Sequence, residues 1–100
     1  MNPIEHHKRI MDELHAQYTK KNADYGNSFA DTFAEFGLLS SVIRMSDKLG
    51  RIKTLSRQQA LVHDESIEDT LLDLANYAIM TVMEMRVHND QSSACVVKST

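Results

Sequence analysis

Between Glu65 and Met83 the chain is apolar almost all the way round a helix, and this segment constrains the rest of the molecule more than any other. Leu71, Leu72, Leu74, Ala75, Ala78 and Ile79 cover most of its circumference, and Val82 and Met83 continue it. Glu65, Asp69, Asp73 and Asn76 recur at steps of four, four and three. At ~100° per residue they form a stripe only ~80° wide. A solvated helix face is normally much wider, so protein is expected to cover this helix on most sides. A chain of 100 residues builds one domain with a modest core. It is therefore expected to associate with copies of itself or with a partner.

The remaining sequence is also helical in pattern. With 42% hydrophobic and 25% charged residues, three Gly, one Pro and no Trp, it suits helices better than a turn-rich β sandwich. Asn2-Pro3-Ile4-Glu5 reads as an N-cap, a first-turn proline and a capping-box carboxylate. Ile4, His7, Met11, Leu14 and Tyr18 then form one narrow apolar stripe, and the first helix is expected to end near Lys21. Periodicity stops from Asn22 to Asp31, where Asp24-Tyr25-Gly26-Asn27-Ser28 predicts a loop. Phe29, Phe33 and Phe36 anchor a short helix near residues 30–36, as core residues, ahead of Gly37. Leu38 to about Leu55 is a second long helix with an apolar arc of Leu39, Val42, Ile43, Met45, Leu49 and Ile52. The third starts near Asp64 or Ser66, each a candidate cap, and ends near His88-Asn89-Asp90. The expected fold is all-α: an antiparallel bundle of three main helices plus a short one, completed by oligomerisation. Residues 1–89 form a single helical domain and 90–100 a flexible polar tail.

Charge and motif content remove several function classes. A net charge of -3 disfavours nonspecific nucleic-acid binding. The sole cysteine, Cys95, lies in the tail and forms no internal disulfide, which favours a reducing compartment. No membrane span or signal peptide is readable, so the cytoplasm is the expected location. His6, His7 and His15 lack a zinc-ligand spacing, and Met80, Met83 and Met85 read as packing residues of an oligomer interface. There is no Gly-rich phosphate loop and no catalytic triad order.

The chemistry-bearing residues lie on two helices. Arg44, Asp47, Lys48 and Arg51 share one face of the second at i, i+3, i+4 and i+7. On the third, the aligned acids repel one another and lose hydration, so something positive should compensate them. Magnesium suits hard carboxylate oxygens. The alternative is that Arg44, Lys48 and Arg51 neutralise the stripe directly, or bind the phosphates of a metal-chelating nucleotide.

Lys21-Asn22-Ala23-Asp24-Tyr25-Gly26-Asn27-Ser28-Phe29, Phe36-Gly37, the run Ile43 to Arg51 and the run Asp64 to Ala78 occur in one order. Together, over roughly residues 15–85, they resemble the nucleotide-modification-associated domain family of phages and bacteria. That family looks like a relative of the all-α nucleotide pyrophosphatases, the MazG-like and helical dUTPase group. The resemblance implies obligate oligomers, magnesium held by helix-borne acids, and hydrolysis of a nucleoside triphosphate to monophosphate and pyrophosphate. The group's Glu-x-x-Glu and Glu-x-x-Asp pairs are not reproduced: Leu38 follows three residues after Glu35, and Ser66 stands three before Asp69.

The site expected from these readings has Asp47 and Asp69 as catalytic acids and Glu65, Asp69 and Asp73 as ligands of Mg2+. Lys21, Arg44, Lys48 and Arg51 meet the phosphates. Tyr25 or Tyr77 stacks on the base, and Asn27 or Asn76 hydrogen-bonds its edge or the sugar. The same pocket without turnover makes a phage protein that sequesters a host nucleotide signal. An acid stripe paired simply with the basic face makes a structural adaptor.

Overall fold

The computed structural model describes the backbone of residues 2–25, 27–58 and 63–96 and the side chains of residues 2–22, 27–58 and 67–89. Four helices follow in order: α1 (Pro3–Tyr25), α2 (Ser28–Phe36), α3 (Leu38–Ser56) and α4 (His63–Val96). The described residues contain no strand, so the fold is all-α with three long helices and one short one.

The Asn2 cap forms as its sequence predicts, with the Glu5 N–H donating to Asn2 Oδ1 at 2.8 Å. The helix it opens runs four residues past Lys21, and α2 begins at Ser28. The loop expected over Asn22–Asp31 is thus confined to the connection between Tyr25 and Ser28. Loss of apolar periodicity does not stop a helix whose residues still have adequate propensity. Between α2 and α3 stands Gly37, at φ 74° and ψ -161°, a region nearly reserved for glycine. Its N–H donates to the Phe33 carbonyl at 2.7 Å, and its carbonyl accepts from Ser40 N–H at 3.1 Å. One residue thereby closes α2 and opens α3. Because α4 begins at His63, Asp64 and Ser66 lie inside its first turn and do not precede it as caps. At its other end α4 continues past the boundary expected at His88–Asp90 to Val96.

The main packing seam joins α3 to α4, and it is polar. Ser41 is fully buried, as are nearly Thr70 and Thr81. Thr81 Oγ1 donates to the Tyr77 carbonyl at 2.7 Å, and Arg51 Nε donates to Thr70 Oγ1 at 3.3 Å. The apolar arc of α3 points elsewhere. Leu39, Val42, Ile43 and Leu49 are all exposed, and on a wheel they lie roughly opposite Ser41, Arg44 and Lys48. Only Met45 and Ile52 of that arc turn partly inward.

Among the described residues only two apolar side chains are buried, Leu14 at 7% exposure and Phe33 at 6%. Ile4, His7 and Met11 of the expected α1 stripe stay exposed, because α1 meets α4 through Leu14, Tyr18 and Lys21 in its second half. The three phenylalanines also divide: Phe33 enters the core, Phe29 is half-buried, and Phe36 is 64% exposed beside the α2 terminus. Leu71, Ile79, Val82 and Met83 leave much of α4 uncovered within one chain. The radius of gyration, 16.7 Å, exceeds the ~13 Å of a compact 100-residue domain. No helix among the described residues is long and apolar enough to cross a membrane.

Candidate functional site

A cavity of about 390 Å³ opens where α1, α2, α3 and α4 meet. Its size falls within the ~300–1,000 Å³ of small-molecule sites. The C-terminal half of α1 contributes Tyr18, Lys21 and Asn22, and the start of α2 contributes Ser28 and Phe29. From α3 come Arg44 and Lys48, one turn apart, and from α4 come Asp73, Asn76, Tyr77 and Met80. The helical repeat explains the selection, since positions four apart on α3 and three or four apart on α4 share a face.

Its charges divide into two groups. Asp73 accepts from Lys21 Nζ at 2.9 Å through one oxygen and faces Lys48 Nζ at 3.4 Å through the other. Partial burial alone would raise the Asp73 pKa, but the hydrogen bond and charge of Lys21, reinforced by Lys48, outweigh it and hold the carboxyl below its ordinary value. Arg44 has no such partner among the described residues. Its guanidinium lies 5.7 Å from the Phe29 ring centre and 6.0 Å from that of Tyr77. Phe29 and Tyr77 themselves stack with centroids 6.0 Å apart and an interplanar angle of 29°. Lys48 Nζ approaches the Tyr77 ring at 5.9 Å. These cation–ring distances reach the ~6 Å at which the ring quadrupole attracts a cation. Among the described residues no carboxylate or hydrogen-bond acceptor holds the half-buried Arg44.

Lys21, Arg44, Lys48, Asp73, Asn76 and Tyr77, all expected in a site from the sequence, therefore line one cavity. Four others lie outside it. Asp47 is exposed, because it stands ~100° round α3 from Lys48. Asp69, also exposed, is one turn before Asp73 and outside the cavity lining. Arg51 donates from Nε to Thr70 Oγ1 and does not line the cavity. Asn27 lines a smaller neighbouring cavity of about 60 Å³ with Tyr18, Asn22 and Phe29. The side chains of Tyr25, Glu65 and Cys95 lie outside the described residues. Asn76 Nδ2 donates to the Leu14 carbonyl at 3.2 Å, so part of its amide ties α1 to α4.

Tyr18, Asn22, Ser28, Phe29 and Met80 were not singled out by sequence as site residues. Phe29 sits at the end of the Tyr-Gly-Asn-Ser motif, and that adjacency was the available signal. Tyr18 and Met80 carry ordinary packing periodicity and gave none.

A magnesium ion needs several oxygen donors converging at ~2.0–2.1 Å, usually including one or two carboxylates. Among the described residues no three His, Cys, Asp or Glu side chains gather for a metal. Asp73 has a lysine at each oxygen, and Asp47 and Asp69 do not line the cavity. The described donors do not fit a resident ion.

Residues 21–85 match the family described as nucleotide modification associated domain 1. The chain belongs to this family. The matched span covers most of α1's last turn, all of α2 and α3, and α4 beyond the cavity, so almost every lining residue falls inside it. Tyr18 is the exception, just ahead of the span. No curated protein and no solved structure matches the chain.

Proposed function

We propose that the cavity is a nucleotide site, with Arg44 and Lys48 binding phosphate and the aromatic wall of Phe29 and Tyr77 lying against the rest of the ligand. The observation that carries this reading is Arg44: half-buried, stacked over two rings and without an acidic partner among the described residues. A guanidinium in that setting offers a planar fork of donors suited to phosphate oxygens. Among the described residues three cations and one carboxylate line the cavity, a balance that favours an anionic ligand. Membership of a family associated with nucleotide modification agrees with such a ligand.

Binding without turnover is the better supported form of this reading. Magnesium-dependent hydrolysis of a triphosphate needs carboxylates at the phosphates. Asp73 is the only acid lining the main cavity among the described residues, and two lysines hold it. A protein that sequesters a nucleotide needs nothing beyond the cations and rings. A purely structural adaptor accounts for the Asp73 pairs but leaves Arg44 without a purpose.

The site is completed in an oligomer. The pairs Arg44–Tyr77, Lys48–Asp73 and Arg51–Thr70 step in opposite chain directions, as in an antiparallel bundle. The uncovered arcs of α3 and α4 are then the surface on which a second copy packs.

Purified protein incubated with nucleoside mono-, di- and triphosphates and with cyclic and ADP-ribose-type nucleotides, with and without magnesium, tests the reading. Chromatography of bound and free material should recover an intact ligand. Magnesium-dependent monophosphate and pyrophosphate would replace sequestration by hydrolysis, and absence of both binding and turnover would favour the adaptor.

A further inference from the structure

The smaller cavity shares Tyr18, Asn22, Phe29 and Met80 with the main one, so the two adjoin. At about 60 Å³ it is too small for a whole ligand and extends the main cavity by room for a ligand's edge. Its one charged side chain among the described residues is Glu84 of α4. Glu84 follows Tyr77 by seven residues, which places it on the same helix face, ~20° round and ~10.5 Å along the axis. That span is comparable with the distance from the phosphate of a nucleoside monophosphate to the far edge of its base. The Glu84 side chain is only 18% exposed, and among the described residues its nearest charged neighbour is His88 Nε2 at 4.0 Å, beyond hydrogen-bond reach. A largely buried carboxylate without a close donor is costly, and N–H groups of a ligand would offset that cost. A ligand whose phosphate meets Arg44 and Lys48 thus presents its other end to an acceptor.

We propose that Glu84 is a specificity-determining residue that reads the base, so that the site prefers guanine nucleotides. The inference rests on the nucleotide reading above and deepens it. An ionised carboxylate only accepts, and it accepts best from two parallel N–H donors. Guanine presents such a pair, its ring N1–H and its exocyclic amino group. Adenine and cytosine place an amino group beside a bare ring nitrogen, whose lone pair opposes the second carboxylate oxygen. Uracil and thymine place one ring N–H between two carbonyl oxygens, which a carboxylate repels. The guanine O6 beside its N1–H is an acceptor, and the amides of Asn22 and Asn27, which line the same small cavity, supply N–H donors for it.

Calorimetric affinities of guanosine, inosine, adenosine, cytidine and uridine 5′-monophosphates, in ribo and deoxy form, test this for the wild type and Glu84→Gln. Inosine keeps the N1–H and O6 of guanine and lacks only the amino group. The wild type should bind guanosine monophosphate about tenfold or more tightly than the inosine form, since one good bidentate contact discriminates by about that much. Adenosine, cytidine and uridine forms should bind more weakly than guanosine as well. Glu84→Gln replaces one acceptor by a donor that faces the guanine donors, and should weaken guanosine monophosphate by about tenfold while leaving the uridine form unchanged or tighter. A wild type that binds all bases alike, or prefers another base, overturns the proposal while leaving a nucleotide site in place. A guanine preference that survives intact in Glu84→Gln does the same. Absence of binding by every nucleotide overturns the nucleotide reading itself. Circular dichroism identifies a variant that fails to fold, in which case the wild-type order of guanosine over inosine decides.

Discussion

A guanidinium held half-buried against two rings, with no carboxylate beside it among the described residues, bears a desolvation cost that a bound anion would offset. Arg44→Ala should therefore weaken nucleotide binding by about tenfold or more, since hydrogen bonds to charged groups contribute ~1.5–3 kcal/mol. Its effect on folding should be small, about 1 kcal/mol or less, from lost ring contact. Arg44→Lys should not restore affinity, because an ammonium cannot make the paired, planar contact. Parallel binding and thermal-melting measurements separate these effects. Asp73 makes a different prediction. Its folded pKa lies below the ordinary aspartate value, so the Lys21 and Lys48 pairs stabilise the fold above pH ~4 and lose that contribution as pH falls through the folded pKa. Lys21 is more than half exposed, so solvent screening limits the contribution to about 1 kcal/mol or less. Urea midpoints between pH 6 and 3 should fall less steeply in Asp73→Asn than in the wild type.

At the level of elements, the α2–α3 junction depends on a single residue. Nothing lies within 4 Å of where a Gly37 Cβ would stand, so a side chain there meets no steric obstacle from neighbours. The cost is conformational, because φ 74° and ψ -161° are nearly closed to other residues. Gly37→Ala should destabilise the chain by about 1–3 kcal/mol in denaturant unfolding. A null result would mean that the junction can relax to an ordinary turn. The same junction was legible in the sequence, as were the Asn2 cap and α3 almost to the residue, because each depends on local propensity and capping. Burial was not. The arc of Leu39, Val42, Ile43 and Leu49 gives the period of a buried face but not the identity of what covers it, and the polar side of α3 is the one that meets α4. Charge spacing identified Arg44, Lys48 and Asp73 as site residues. Which cation Asp73 would pair with, and which would stack on rings, depends on the crossing of three helices and on α2 bringing Phe29 to Arg44.

Taken whole, the molecule has a long axis of 56 Å, set mainly by a 34-residue α4. Its seam buries serine and threonine while large apolar side chains remain outside. A single chain of this kind leaves unburied the surface from which stability normally derives. Sedimentation should give a multiple of the 11.4 kDa chain mass, and Leu39→Glu with Val82→Glu should lower it toward one chain and reduce thermal stability. A wild-type monomer at micromolar concentration would contradict association. The central claim, a nucleotide site organised around Arg44, is tested most directly by calorimetric titration of wild type and Arg44→Ala with nucleoside monophosphates at low salt. The wild type should saturate with one nucleotide per chain, and Arg44→Ala should bind about tenfold more weakly or not at all while keeping the same sedimentation. No binding by the wild type, or equal binding by the variant, would contradict it.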